Sequence, residues 1–337
     1  MTTPGFTRFI LLALIIALSV HTVTGHVPEL PPAGSSLAGA VVVPDPAKSY
    51  AYYGTLHETG EADYYQMTLA GGDLLHLSLS TPEPAPFTPQ VAIMGPGIAG
   101  HDPVPSFVEV PAGAGVIVLP GSRPQYASYE PFTPMSIYDI SDYDADVTAS
   151  GTYYVAVFST GSPGRYIFAP GYREEFSVIE WITVPVQVMA VHAWDGQSVL
   201  LMYGPLLLVL LAGIAFLYRG CPCIRGPRSA FSWAGSIAGL LYIGTGISML
   251  VQMGIALSNA GPGAMWSLTL VFALLPIILG VVTVWLATRT PVTPPTRVMM
   301  AILGILGLVV WAGLIIGPVI ALVASVLPAE PGTEKKT

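Results

Sequence analysis

The sequence predicts two parts of different fold class: an all-β exported domain, an antiparallel sandwich or jelly roll, followed by an all-α bundle of four transmembrane helices. Short β-type runs fill the first half, and four long apolar segments fill the second. Residues 26–197 carry 18 acidic and four basic side chains, whereas residues 198–337 carry two acidic and seven basic ones. This asymmetry indicates an acidic soluble domain joined to a membrane domain, and it argues against a nucleic-acid partner.

The first 25 residues have the features of a secretory signal peptide. Arg8 precedes the apolar run FILLALIIALSV, and the small residues VTG follow it. The run is short for a membrane span, so we expect cleavage after Gly25, with a retained anchor as the alternative.

The segment 26–172 reads as a series of β-strands. Seven runs rich in Tyr, Val, Ile and Thr are separated by Gly, Pro, Asp or Ser: YAYYGTL, DYYQMTLA, LLHLSLST, QVAIMG, GVIVLP, TYYVAVF and RYIFAPG. In LLHLSLST the leucines alternate with polar residues, as expected for a strand with one buried face. Several short strands at this spacing favour an antiparallel sandwich.

Two stretches resemble the pre-peptidase C-terminal (PPC) type of β-sandwich. They are YYGTLHETGEADYYQMTLAGGDLLHLSLSTPE and, later, SGTYYVAVFSTGSPGRYIF. The resemblance covers about residues 36–171 and is interrupted by an insertion at about 97–147. It implies a non-catalytic module of the kind attached to secreted enzymes and surface proteins. The whole arrangement also resembles uncharacterised membrane-anchored surface proteins of prokaryotes, archaea in particular.

The insertion contains an acidic segment, YDISDYDADVTASG, in which carboxylates alternate with other residues. Such side chains in a loop can converge on Ca²⁺, which takes several oxygen ligands. The EF-hand pattern is absent, and a solvated acidic loop is the alternative. The candidate calcium ligands are Asp139, Asp142, Asp144 and Asp146.

His26 would be the first residue after cleavage, and a terminal amine with an imidazole suits Cu(II). A second histidine would complete a copper site, and His57, His76 and His101 are candidates. The alternative is an ordinary surface histidine, on an arm that PELPP predicts to be stiff and extended.

Residues 173–197 form a mostly apolar connector with two tryptophans, a residue type that favours the membrane interface. We expect this connector to lie at the outer membrane surface, helical in part and broken near Pro185. A last strand of the sandwich is the alternative.

Four segments are each long and apolar enough to cross a bilayer as helices, and none contains an ionisable residue. The loops after the first and third contain five arginines, which places them in the cytoplasm and the β-domain outside. With four crossings, the short tail 328–337 would end outside. The predicted spans are 198–218, 230–257, 265–287 and 298–327.

Glycine pairs and two cysteines are the other candidate sites of the membrane half. Gly235 with Gly239, and Gly313 with Gly317, have the GxxxG spacing that lets helices approach closely. Cys221 and Cys223 are predicted to lie beside the membrane. They could be lipidated, one could be a reactive thiol, or both could be ordinary reduced thiols.

These features predict a multi-pass plasma-membrane protein of the cell surface that presents a β-sandwich to an external ligand. The expected partners are the lipid bilayer and a glycan, an envelope component or another membrane subunit; calcium is the one cofactor considered. The alternative is a copper-handling protein or enzyme that uses His26, and a weaker one is a transporter or channel, which the lack of intramembrane charge disfavours.

Overall fold

The computed structural model describes residues 25–219, 229–260 and 266–329. The chain forms β-sheets in its N-terminal half and helices in its C-terminal half, as the sequence predicts. The described residues divide into two compact units, one made of residues 25–196 with 255–260 and the other of residues 197–219, 229–254 and 266–329.

The β-sheet domain, residues 25–196, contains two sheets. Strands are numbered in chain order. The six-stranded sheet runs, in spatial order, β1 (Val27–Glu29), β3 (Tyr50–Leu56), β11 (Gly164–Pro170), β5 (Leu74–Thr81), β9 (Met135–Asp146) and β8 (Ser128–Glu130). The five-stranded sheet runs β2 (Val41–Val42), β4 (Ala62–Leu69), β10 (Gly151–Phe158), β6 (Gln90–Gly95) and β7 (Gly115–Leu119). Each of the seven predicted runs coincides with a strand to within one residue.

Alternating apolar residues of both sheets form one common core. Leu75, Leu77 and Leu79 of β5 are each at most 5% exposed and pack in this core with residues of β4, such as Tyr65 and Met67. Gly54 belongs to the arrangement because a Cβ there would lie 2.2 Å from the ring of Tyr166 on the adjacent strand. The missing side chain therefore makes room for a buried tyrosine.

The predicted insertion at about 97–147 is not a loop appended to the sheets. It contains β7, β8 and the twelve-residue β9, and β9 pairs along the whole of β5. Ile140 of β9 is 3% exposed and belongs to the common core. The expectation of an acidic loop at 139–146 is therefore wrong, because Ile140 and Tyr143 anchor this segment as a strand while its aspartates point outward.

The N-terminal arm is likewise paired rather than free. Val27–Glu29 forms β1, which runs parallel to β3 in the register Val27 with Tyr50. Val27 itself is fully buried in the common core. The expectation of a stiff extended arm fails here because a buried valine and a parallel ladder hold the segment to the sheet edge.

The connector is a continuous helix, α1 (Val178–Trp194), and the predicted break near Pro185 is absent. Ser177 and Glu180 form a reciprocal capping box at its start. Val191 and Trp194 pack against the outer face of the six-stranded sheet, against Tyr53 and Ile167. These contacts stabilise the helix despite the hydrogen bond that Pro185 cannot donate.

Three helices of the second unit are long and apolar enough to cross a membrane. They are α2 (Val199–Arg219), α3 (Ala230–Asn259) and α4 (Trp266–Ala287), and they lie within two residues of the first three predicted spans.

The predicted fourth span, 298–327, is a helical hairpin instead of one helix. It consists of α5 (Pro294–Val309) and α6 (Ile316–Ala324). Arg297, near the start of α5, donates hydrogen bonds of 2.9 and 2.7 Å to the carbonyl oxygens of Ser325 and Leu327, just after α6. The two helices are therefore antiparallel, and both ends of the hairpin lie together. At about 1.5 Å per residue, neither helix reaches the ~30 Å of a hydrocarbon core.

Glycines allow close helix approach in this unit, although not all as predicted. A Cβ on Gly239 of α3 would lie 2.6 Å from the carbonyl oxygen of Gly280 in α4, and one on Gly235 would lie 2.7 Å from Met300 in α5. Gly313 lies in the turn of the hairpin with φ +71°, so Gly313 and Gly317 do not form a helical GxxxG face. Both are packed against the ring of Tyr242.

We expect Gly239→Ala to destabilise the helical unit by roughly 1–3 kcal/mol, because the new methyl group would overlap backbone atoms of α4. Gly254→Ala is the matched control in the same helix, since a Cβ there meets nothing within 4 Å. The control should be neutral or up to ~1 kcal/mol more stable, owing to the better helix propensity of alanine. Thermal unfolding of both variants in detergent micelles measures the difference; equal stability would contradict the close contact.

Candidate binding cavity of the β-sheet domain

A cavity of about 180 Å³ lies beside strand β3, between the N-terminal arm and the start of β4. Its walls include residues 30–34 of the arm and four aromatic side chains, and Asp63 contributes a carboxyl group. The aromatic residues are Tyr53, Tyr65, Tyr166 and Trp194. A cavity of ~150 Å³ is enough to admit benzene, so this one has room for a ligand group of about six heavy atoms.

Asp63 is the chemically distinctive residue of this cavity. It occupies an inward-facing position of β4 and is only 3% exposed. The hydroxyl group of Tyr166 donates to its Oδ2 over 2.6 Å, and the Tyr65 and Tyr166 hydroxyl oxygens are 2.9 Å apart. Its Oδ1 has no hydrogen-bond partner of ordinary geometry. Burial raises the pKa of Asp63, and the Tyr166 hydrogen bond opposes that change.

Trp194, the last residue of α1, is fixed at the cavity wall by contacts with β3. Its indole Nε1 donates to the Thr55 hydroxyl over 3.1 Å. Its ring meets the ring of Tyr53 edge to face, with centroids 5.1 Å apart. The position of the helix end therefore determines one wall of the cavity.

Arg165 of β11 holds that helix end in place. Its Nη1 donates to the carbonyl oxygen of Trp194 over 3.1 Å and lies 3.2 Å from the Asp195 carboxylate. Its Nε donates to Glu83 over 2.5 Å. A cation at the C-terminus of a helix also interacts favourably with the helix dipole.

A second cavity, of about 130 Å³, lies on the outer face of the six-stranded sheet. Ser78, Ser80, Asp139, Glu130 and His26 contribute polar groups to it. The backbone N–H of Phe132 donates to Glu130 over 2.9 Å. Burial raises the pKa of Glu130 to about 7, against the effect of its backbone hydrogen bonds.

His26, the candidate copper ligand, is partly buried at the edge of this second cavity. Its Nδ1 is 2.5 Å from the Ser49 hydroxyl oxygen. Burial lowers its pKa, and His76 is near enough to lower it further. The ring of His76, however, is paired with Asp144 at 2.7 Å. The copper interpretation stays a prediction.

The four aspartates proposed for calcium lie on one face of β9, because a bulge in the β5–β9 ladder puts Asp139 on the same side as Asp142, Asp144 and Asp146. Since a strand rises about 3.4 Å per residue, Asp142 and Asp146 start ~13 Å apart along it. No three His, Cys, Asp or Glu side chains in residues 25–219, 229–260 and 266–329 are grouped to hold a metal ion. Cys221 and Cys223 lie outside the described residues.

Sequence reasoning missed Asp63 and Trp194 as cavity residues. A signal for Asp63 was present, because it shares the inward parity of Tyr65, Met67 and Leu69 in the run ADYYQMTL. A carboxylate at an inward strand position is unusual. Trp194 had no comparable signal, since it comes to the cavity only through the docking of α1.

Comparison with known protein families gives no match for this chain, and comparison with curated proteins gives none at a significant level. The functional argument therefore depends on the geometry of the chain itself.

Replacing Glu130 should change the pH dependence of stability. The pKa of Glu130 is about 7 in the folded protein, against 4.5 for the free side chain. The folded state therefore keeps the proton at pH values where the unfolded state has lost it, and the contribution of this group to stability is largest below pH 4.5. That contribution is lost as the pH rises to 7. We expect Glu130→Gln to remove this loss, which amounts to roughly 2 kcal/mol between pH 5 and 8.

Thermal unfolding followed by near-ultraviolet circular dichroism at both pH values measures the effect. Glu58→Gln, which changes an exposed carboxylate of the same domain, should behave as the unmodified protein does. If Glu130→Gln and the unmodified protein lose the same stability between the two pH values, Glu130 does not cause the pH-dependent loss.

Proposed function

We propose that this chain is a membrane-anchored, non-catalytic binding or accessory protein of the cell surface, whose β-sheet domain is held at the outer face of the bilayer. Three apolar helices long enough to span the membrane support the anchoring. The excess of acidic side chains in residues 26–197 supports an exposed, well-solvated domain.

The observation that carries the proposal is an apolar stripe on helix α1, made of Val178, Ile179, Ile182 and Val186. All four side chains are exposed, Val178 and Ile179 by 77% and 75%. They lie on the side of the helix opposite Val184 and Val191, which are both buried, Val191 against the sheet. Only four residues separate the end of α1 from the first candidate span. A contiguous exposed apolar face so near a membrane helix is suited to the bilayer interface.

The hairpin of α5 and α6 changes the proposed topology. The N–H of Phe231, at the start of α3, donates to the carbonyl oxygen of Pro328 over 3.1 Å. Arg297, the start of α3 and both hairpin ends therefore lie at one end of the helical unit, which the positive-inside rule assigns to the cytoplasm. This proposed topology puts Lys335 and Lys336 on the cytoplasmic side, in better agreement with that rule than the outside tail expected from four crossings.

A β-sandwich of the PPC type is the fold that we propose for the exported domain. Two sheets with a common apolar core support it, as does the match between the predicted runs and the strands. An external glycan, an envelope component or another membrane subunit fits such a module. The cavity beside Asp63 supports a binding role, because it combines a buried carboxyl group with aromatic walls that a ligand could contact.

A channel or transporter is the second candidate, and the hairpin is the observation that favours it. Non-helical backbone at residues 310–315, between two short apolar helices, is typical of membrane proteins that conduct or transport. Residues 199–218, 230–259 and 266–287 contain no Asp, Glu, Lys, Arg or His, which disfavours an ion pathway. Ion flux measured in reconstituted liposomes distinguishes the two candidates, and we expect none above that of empty liposomes.

The membrane contact of α1 can be tested by lipid-phase quenching. In a Cys221→Ser, Cys223→Ser background, a fluorophore attached to Val186→Cys of the full chain in nanodiscs should be strongly quenched by nitroxide-labelled lipid. Val186 is 57% exposed on the stripe, whereas Tyr126, 73% exposed in a surface turn, provides the matched control.

A fluorophore at Tyr126→Cys should lose little intensity in the same discs. Equal, weak quenching at positions 126 and 186 would show that the stripe faces water, and would contradict the proposed attachment.

A further inference from the structure

The cavity beside Asp63 has an unbalanced charge. Asp63 is only 3% exposed, and its Oδ1 accepts no hydrogen bond of ordinary geometry. No lysine or arginine lines the cavity, and His57, at its exposed rim, is the one lining side chain able to carry positive charge. A carboxylate in such surroundings is costly unless a positive group joins it.

The walls of the cavity suit a particular kind of positive group. Four aromatic side chains line the cavity, those of Tyr53, Tyr65, Tyr166 and Trp194. The faces of aromatic rings attract organic cations, and aromatic cages are a recurrent way to bind alkylated ammonium groups. A hard metal ion is a poorer fit, because it requires several oxygen ligands. Within the described residues no second or third carboxylate joins Asp63 in a metal-binding group.

We infer that this cavity binds the ammonium group of a small organic cation, with Asp63 as its counter-ion and the aromatic rings as its walls. The inference rests on the proposed binding role and names the class of ligand. The volume of about 180 Å³ accommodates a methylated ammonium head, with any remainder of the ligand leaving past the arm residues 30–34. The acidic excess of the domain would raise the local concentration of cations around the entrance.

The hydroxyl groups of Tyr65 and Tyr166 give the carboxyl group its orientation. Tyr166 donates its one hydroxyl proton to Oδ2 of Asp63 and therefore accepts a hydrogen bond from the Tyr65 hydroxyl group. Oδ1 is buried and has no hydrogen-bond partner of ordinary geometry, so the charge of the carboxyl group is left uncompensated. Burial raises the pKa of the carboxyl group, and the Tyr166 hydrogen bond and the Gly34 amide only partly oppose this change, so a bound cation would favour the charged form.

The test is a calorimetric titration of the full-length protein in nanodiscs at fixed ionic strength. The probes are choline, its neutral isostere 3,3-dimethylbutan-1-ol, and glucose. We expect choline to bind, the isostere to bind at least about tenfold more weakly, and Asp63→Asn to weaken choline binding by a similar factor. Asp146→Asn removes the same charge from an exposed strand position and should leave choline binding unchanged.

A second variant tests the cavity even if Asp63→Asn does not fold. Ala33 lines the cavity from the exposed arm, so Ala33→Phe should fill the space and abolish binding without altering the carboxyl group. Equal binding of choline and its isostere, or of choline to both Asp variants, overturns the cation assignment while the binding role stands. If glucose binds and Ala33→Phe abolishes its binding, the cation assignment is likewise overturned while the binding role stands. If none of the three probes binds, both the cation assignment and this cavity as the binding site are wrong, whereas the membrane attachment is judged separately by lipid quenching.

Discussion

Arg165 is the contact on which the arrangement of the β-sheet domain depends. One guanidinium group joins Glu83, two residues after β5, to the carbonyl oxygen of Trp194 and the carboxylate of Asp195. Three acceptors from two distant parts of the chain thus meet one donor of fixed planar geometry. Without it, the carbonyl oxygen of Trp194 would lose this donor, and the docking of α1 would depend on the apolar packing of Val191 and Trp194 alone at that end.

Docking of α1 has consequences on both of its faces. The inner face covers Tyr53 and Ile167 and brings Trp194 to the cavity of Asp63. The outer face presents Val178, Ile179, Ile182 and Val186 to the surroundings. A single helix therefore connects the proposed ligand cavity with the proposed membrane contact. A ligand that fixes Trp194 would also favour the docked position of the helix, by its differential affinity for that state.

The strands and the apolar helices could be predicted because their signals are local: alternation in β5, β-branched residues in β10, and long uncharged runs in α2 to α4.

The errors have non-local causes. Strand β9 is acidic on its outer face, so its sequence is typical of a loop unless the burial of Ile140 is known. Hydropathy cannot distinguish one membrane span from a hairpin, which here is set by left-handed backbone at Trp311, Gly313 and Leu314. Pro185 does not break α1, since tertiary contacts outweigh the local preference. Of the cavity, only Asp63 had a sequence signal; the wall formed by Trp194 depends on a helix docking that no local pattern encodes.

Sidedness is the most direct test of the account, because a surface binding protein must have its β-sheet domain outside the cell. The only two cysteines, Cys221 and Cys223, lie in the Arg-rich loop assigned to the cytoplasm. A membrane-impermeant maleimide applied to intact cells should therefore label the Tyr126→Cys variant and leave the unmodified protein unlabelled until the cells are permeabilised. Labelling of the unmodified protein in intact cells, with no additional label on Tyr126→Cys, would place the β-sheet domain inside and contradict the account.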